Sequence, residues 1–265
     1  MDLKIHNRRL IRASTHGRGI YELTLDDNPK QGVELFIRHT KLDTGRFVTV
    51  NDMHFPTDPE MLVANGNSPD IKLDTPDSNG MYQFPLSKKR INFLEFVDFL
   101  LDDSMNIAIH ETKNIISKVY VQVHNRGVIS ANNVQVMLLL STASSPSSSS
   151  ETVLPPLPSN YDIHVKGGTP INNSDWKTVG IVVLDNLRVG SPKIAVFDLP
   201  SNMFKPLSEM TENKQQPYIL ALVHHKDDQF TNNETNTNTL SKSERKTALK
   251  KLKLVQFTGP LSPSI

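Results

Sequence analysis

The stretch Lys118-Val119-Tyr120-Val121-Gln122-Val123-His124 decides the fold. Val119, Val121 and Val123 fall on one side of an extended chain, and Lys118, Tyr120, Gln122 and His124 on the other. A period of two is that of a pleated strand with one face buried and one face in water. Asn125-Arg126-Gly127 then supplies turn chemistry. The next run, Val134 to Leu140, again puts Val134, Val136, Leu138 and Leu140 on a single face.

Four further runs follow: Trp176 to Leu184, Lys193 to Leu199, Tyr218 to His225 and Lys251 to Phe257. Pro, Gly, Asn and Ser separate them, and no convincing helix intervenes. Such spacing reads as an all-β chain folded into an antiparallel β-sandwich. Ile91 to Leu100 has apolar spacing that fits a helical stripe nearly as well as a strand. Its aromatic residues favour a strand, which would open the sandwich.

Composition narrows the function classes. Of 265 residues, 37% are apolar and 22% charged, enough for a core but also for substantial loop. With 29 basic against 28 acidic residues the net charge is +1, so a dedicated nucleic-acid or membrane-surface binder is not expected. Cysteine is absent, which removes disulfides, thiol nucleophiles and cysteine metal sites together. Residues 1–6 show no basic segment leading into an apolar one, and no apolar run is long enough to span a bilayer. The expectation is synthesis in the cytoplasm without a signal peptide, with any extracellular role reached through a dedicated secretion or injection system.

The first ninety residues differ in character. Arg9 to Ala13 and Ile20 to Leu25 form a hairpin around His16-Gly17-Arg18-Gly19, and Val33 to Arg38 is a possible strand. From Leu42 to Pro85 turn residues dominate. The expected division is a hairpin and extended arm over 1–90, not independently folded; a sandwich over 91–258; and a tail over 259–265. Two segments read as exposed loops: Ser141 to Asn160, with its serine run and Pro155-Pro156, and Phe230 to Ser243. Ser243 to Lys250 reads as a short helical turn.

Several constellations bear on chemistry. Asp70, Asp74 and Asp77, with Asn79 and Gly80, offer the hard oxygens of an irregular calcium loop, although the spacing is not that of an EF-hand. Calcium is the one cofactor the residues suggest. Leu42-Asp43-Thr44-Gly45 spells the aspartic-protease tripeptide, but that chemistry needs a second Asp sharing the proton, hence a dimer. An Asp-capped turn is favoured over that role. His224-His225 with Asp227 and Asp228 is the densest histidine cluster, yet neighbours on a strand face opposite ways and do not converge on one ion. His110 and His124 read as isolated surface histidines. Lys242, Arg245, Lys246, Lys250, Lys251 and Lys253 read as a solvated basic face. Asn172-Asn173-Ser174 and Asn233-Glu234-Thr235 match the glycosylation pattern. These readings add up to a non-enzyme.

Two resemblances sharpen the expectation. Arg9-Leu10-Ile11-Arg12-Ala13-Ser14-Thr15-His16-Gly17-Arg18-Gly19-Ile20-Tyr21-Glu22-Leu23 resembles the closing strands of sialidase-like (Asp-box) β-propellers. The first two dozen residues leave no room for blades, so the likeness implies the tail end of such an architecture. Ser68-Pro69-Asp70-Ile71, Val119 to Gly127, and Ala131-Asn132-Asn133-Val134-Gln135-Val136 resemble the second and third strands of bacterial CARDB-type immunoglobulin-like modules. That resemblance implies an immunoglobulin-like sandwich binding a protein partner through its end loops. The arrangement is also similar to proteins encoded near bacterial contractile injection systems, which implies a cargo or effector carried by the tube proteins. A dimeric aspartic protease or a glycan-hydrolase remnant is the enzymatic alternative.

Overall fold

The two alternating runs read from the sequence become the central strands of two different sheets. The computed structural model describes residues 2–6, 10–15, 19–24, 32–39, 43, 45, 68–76, 81–82, 106–109, 114–144, 154–204, 215–230 and 233–256. In chain order the elements are β1 (Asp2–His6), β2 (Leu10–Thr15), β3 (Gly19–Thr24), β4 (Leu35–Phe36), β5 (Ile71–Asp74), β6 (Asn106–Ile109), β7 (Ile116–Asn125) and β8 (Val134–Ser144). Then come α1 (Tyr161–Gly167), β9 (Lys177–Leu184), β10 (Lys193–Pro200), β11 (Gln215–His224), α2 (Thr237–Ser243), β12 (Thr247–Lys251) and β13 (Lys253–Gln256).

One sheet runs β10-β7-β4, with β5 also paired to β7; the other runs β12-β11-β8-β9. All of these pairings are antiparallel, so the chain is an all-β sandwich. Between the sheets lie Val119, Val121 and Val123 from β7, Val134, Val136, Leu138 and Leu140 from β8, and Ile219, Ala221 and Val223 from β11. These are the faces that the alternation marked. No helix among the described residues is long and apolar enough to cross a membrane.

The second sheet is buried on its outer face too. Met137 and Leu139 of β8 and Tyr218, Leu220 and Leu222 of β11 pack under Leu154, Leu157, Tyr161, Val165, Trp176 and Leu240. Burial on both faces explains why β8 and β11 read as nearly continuous apolar runs rather than strict alternations. The roof is tied down by polar bonds. The Trp176 indole N–H donates to the carbonyls of Pro155 (3.3 Å) and Pro156 (3.2 Å), and the Thr237 hydroxyl donates to Pro155 O at 2.6 Å.

That roof corrects two expectations. The segment expected as a loop over 141–160 begins as strand, since β8 runs to Ser144, and its proline-rich end is buried cover. The loop expected over 230–243 contains α2, whose N-terminus is capped by the Asn236 side chain accepting from Thr239 N at 3.1 Å. A helix is stable there because Leu240 inserts into the apolar cluster, and tertiary burial outweighs the poor helix propensity of an Asn/Thr run. Of the helical turn expected over 243–250, the structure has a turn at Arg245 and Lys246, closed by Thr247 N donating to Glu244 O at 3.1 Å, and then β12 from Thr247 onward.

The arm expected before residue 91 supplies two strands of the sandwich. Leu35 and Phe36 pair with Asn125 and His124, and Ile71 to Asp74 pair with Val121 to Lys118. Leu35, Ile37 and Ile71 are fully buried in the main core. The expected boundary therefore cuts through one sheet. The face of β7 expected to be wet is covered: Tyr120 and Gln122 are buried, and His124 stacks on Phe36 with ring centroids 4.8 Å apart. The N-terminal hairpin gains a strand, giving a three-stranded antiparallel sheet β1-β2-β3. The last strand breaks at Leu252, and β13 pairs in parallel with β6. The strand expected over Ile91 to Leu100 lies outside the described residues.

Truncating Leu35 checks whether the arm belongs to the fold. Leu35→Ala should lower unfolding free energy by about 2–5 kcal/mol, the range expected for Leu138→Ala in the same core. Chemical denaturation of both variants measures this, and a loss below ~0.5 kcal/mol for Leu35→Ala would exclude β4 from the cooperative unit.

Candidate functional site

Strand β4 has β7 on one edge only. Its other edge is completed by side chains. Leu35 N–H donates to Asp228 Oδ2 at 2.6 Å, and Leu35 O accepts from Arg245 Nε at 3.0 Å. Ile37 N–H continues the line by donating to Arg245 O at 3.0 Å. The carboxylate and guanidinium thus take the place of a neighbouring strand, as buried backbone polar groups require.

These two side chains belong to a longer run of alternating charge. Arg126 NH2 lies 2.6 Å from Glu34 Oε1, and Arg245 NH1 lies 3.5 Å from that same oxygen. Arg245 NH2 lies 2.7 Å from Asp228 Oδ1, and Lys246 Nζ lies 3.5 Å from it. Lys246 Nζ then meets Glu244 Oε1 at 2.9 Å and donates to Gln229 O at 2.9 Å. Three cations and three carboxylates balance. The Lys246 side chain is 0% exposed, and Phe230 presents its ring 5.5 Å from Nζ. A fully buried ammonium is tolerable only with such pairing.

A second buried cluster fixes the same segment to β5 and β7. Asp70 is fully buried; its Oδ1 accepts from Arg38 Nε (2.8 Å) and NH2 (2.6 Å), and its Oδ2 accepts from Arg38 N (2.7 Å) and lies 2.9 Å from His124 Nε2. Burial pushes the Asp70 carboxyl up, but the hydrogen bond and charge of His124 and the Arg38 guanidinium outweigh it and hold the pKa below 3.8. His39, buried nearby, has its pKa lowered from 6.5 by desolvation, against the pull of Asp43 and Asp70 and the carbonyls of Glu244 and Thr247. His224 is lowered as well, by burial and then by the charges of Lys166, His225 and Lys246.

The residues singled out from the sequence fall as follows. Asp70 is committed to Arg38 and His124, and Asp74 stands at the far end of β5, about 13 Å along an extended strand. Asp77 and Asn79 lie outside the described residues, as does His110. Among the described residues no group of three or more His, Asp or Glu is placed to hold a metal. Asp43 caps a turn: its oxygens accept His39 N at 2.9 Å and Gly45 N at 2.7 Å. Gly45 has φ +75°, and a Cβ there would meet the Phe36 ring at 2.5 Å, so the glycine serves packing. His225 Nδ1 accepts from Asp227 N at 3.1 Å at the strand end. His124 is a hydrogen-bonded partner of Asp70, not an isolated surface histidine.

The basic stretch is the clearest correction. Arg245, Lys246 and Lys250 do not form a solvated face: Lys246 and Lys250 are buried, and Lys250 Nζ donates to Ser68 O at 3.1 Å. Lys246 has one near partner in Glu244, but the others lie farther off, with Leu35 and Arg245 separated by 210 positions. No local signal in the sequence announces such pairing.

Another feature is exposed. Asn125 ties together two loops at one end of the sandwich: its Oδ1 accepts from Glu34 N (3.3 Å) and Gly127 N (3.0 Å), and its Nδ2 donates to Ile129 O (2.8 Å) and Leu187 O (3.1 Å). Gly190 N donates to Asn125 O at 2.9 Å. A Cβ on Gly127 would sit 2.2 Å from Gly32 O, so only glycine permits this approach. The loops over 126–133 and 185–192 hold Val128 at 52%, Ile129 at 51% and Val189 at 45% exposure. Sequence reading expected binding at the sandwich ends but did not single out these residues, because an apolar residue in a turn carries no mark of exposure.

No family model matches the chain, and no curated protein matches it. Among solved structures, a hemolymph-type prophenoloxidase from a crustacean is similar at a TM-score of 0.30 and 11% identity, over 80% of this chain and 37% of that one. The chain thus spans little more than a third of that protein's length, and a likeness at this level carries no statement about activity.

Two outcomes check the buried charges. Asp228→Ala should cost about 3–5 kcal/mol, since it strands two cations and a strand N–H, whereas Asp198→Ala at the exposed pair with Lys118 should cost no more than ~1 kcal/mol. Comparable losses in urea titrations would contradict the structural role of Asp228. The pH dependence has a definite sign. His39 and His224 have depressed pKa values, so the folded state binds fewer protons there; stability should be full above pH 6.5 and fall as pH drops through it. The Asp70 contribution should persist until pH falls below 3.8. Melting temperatures across this range read both steps, and His39→Gln should flatten the first.

Proposed function

We propose that the chain is a non-catalytic, immunoglobulin-like binding module that holds a protein partner on the end formed by its 126–133 and 185–192 loops. One observation carries the reading: three large β-branched residues stand exposed together on loops locked by Asn125. Apolar side chains on a pre-organised loop end lose little conformational entropy on docking and exclude water from the contact. The buried ionisable clusters support it in a different way. Their charged groups are engaged with one another and with backbone, so their chemistry goes into holding β4 and β5 rather than meeting a substrate.

A photo-reactive benzoyl-phenylalanine at position 189, compared with one at Ile163 on α1, tests the assignment in the native cell. Ile163 is also exposed but lies outside the loop end. The expected result is a discrete protein adduct at 189 that disappears when Val128 and Ile129 are both replaced by Asp, with none at 163. Equal labelling at both positions, or none at 189, would remove this end as the binding surface.

A further inference from the structure

The edges of the two sandwich sheets are finished in different ways, and one is not finished. β4 is completed by Asp228 and Arg245, and β5 beside it is only four residues long. On β12, Ser68 N donates to Leu249 O at 3.2 Å, and the Lys250 ammonium donates to Ser68 O. β9 has a register shift opposite Leu138 and Leu139, and its first residues are covered where Thr178 N donates to Ile171 O at 3.0 Å. Short strands, lysines, bulges and cover are the devices that keep an edge from pairing with another chain.

β10 carries none of them along its middle. Its eight residues pair with β7 in unbroken register, from Lys193 opposite Val123 to Pro200 opposite Ile116. Lys193 and Pro200 stand at the ends, and Ile194-Ala195-Val196-Phe197-Asp198-Leu199 between them holds no lysine, proline or bulge. Among the described residues, no backbone hydrogen bond reaches these six from anywhere but β7. Only alternate residues of an antiparallel strand bond to one neighbour, so the N–H and C=O groups of the others line the far side of β10 as a template.

The chemistry of that row selects its occupant. Donors and acceptors repeating at the pitch of a strand are matched by another extended backbone. Side chains narrow the choice. Ala195, Phe197 and Leu199 belong to the core, while Val196 is 43% exposed on the outer face. The Asp198 side chain is 62% exposed and is met from β7 by Lys118; no second cation pairs with it among the described residues. A basic residue on an added strand would therefore reach an unopposed side of this carboxylate. A second copy of β10 cannot supply one. An antiparallel contact about a two-fold axis joins positions an even number apart, which sets Asp198 against Ile194, Val196, Pro200 or itself, never against Lys193.

We propose that β10 takes an extended segment of another protein as an added antiparallel strand, with a lysine or arginine of that segment against Asp198 and an apolar residue against Val196. Main-chain bonds along the edge supply affinity, and these two positions supply selectivity. The strand lies outside the 126–133 and 185–192 loops, and the proposal does not rest on them.

A capped eight-residue peptide tests this with the full chain. It carries valine at the inward positions, valine opposite Val196 and lysine opposite Asp198. Fluorescence polarisation gives its Kd, and amide exchange by NMR locates it. The expected result is saturable binding, with exchange slowed at alternate amides of 194–199 and unchanged in β9 and β12. Methylating the peptide nitrogens that face β10 should weaken binding by tenfold or more, since each main-chain bond contributes a factor of about two to ten. Glutamate in place of the peptide lysine should weaken it about threefold, and Asp198→Lys should reverse that preference. Val196→Lys, at an exposed position, should abolish binding with the melting temperature unchanged. No binding at millimolar peptide, equal affinity of the methylated peptide, no preference between lysine and glutamate, or protection confined to β9 or β12 would each overturn the proposal. So would self-association of the chain that Val196→Lys abolishes, since the occupant is then a second copy. The adduct at position 189 reads the loop end alone, so either surface can fail while the other stands.

Discussion

The Asp228 carboxylate and the Arg245 guanidinium, gripping the N–H and C=O of Leu35, are the constraint on which the rest depends. Without them β4 would be a two-residue edge strand with an unsatisfied buried side, too short to hold itself against β7. Their placement has a cost, because each charge must leave water. The cost is offset only through mutual pairing, and the run from Arg126 through Glu34, Arg245, Asp228 and Lys246 to Glu244 supplies it with no net charge left over.

Consequences spread in both directions from that run. Toward the core, it seats Leu35 and Ile37 among the valines of β7 and β8, so the N-terminal segment becomes part of the sandwich rather than cover on it. Toward the surface, Glu34 reaches Arg126 through its side chain and Asn125 through its backbone N–H, and Asn125 organises the exposed loop end. The order of the loops that carry Val128, Ile129 and Val189 is thus tied to buried electrostatics on the other side of the strand. Asp70 does the same for β5, acting as the shared acceptor for Arg38 and His124.

Legibility in the sequence followed sequence distance. The inward faces of β7 and β8 were readable because alternation is a local property of the pleat, and five to seven residues suffice to express it. The Asp43 turn was readable for a similar reason, since its acceptors and donors lie within four positions. The buried lysine and arginine were not. A run such as Lys242 to Lys253 looks the same whether its carboxylates are across the fold or absent, and here Asp228 and Glu34 are brought in by chain topology. The helix α2 was hidden because Asn and Thr favour loops by propensity, and only the pocket waiting for Leu240 reverses that preference.

By itself, then, the sequence determined the all-β class, the inward faces of the central strands and the absence of any cysteine chemistry, because hydrophobic period and composition need no knowledge of what lies opposite. The tertiary structure alone decided that the early segment joins the sheet, that the second sheet is roofed on its outer face, and that Arg245 and Lys246 of the basic stretch are drawn into ion pairs with Asp228 and Glu34. Each of these is a pairing between residues far apart in the chain, and such pairings exist only once the two sheets have closed on one another.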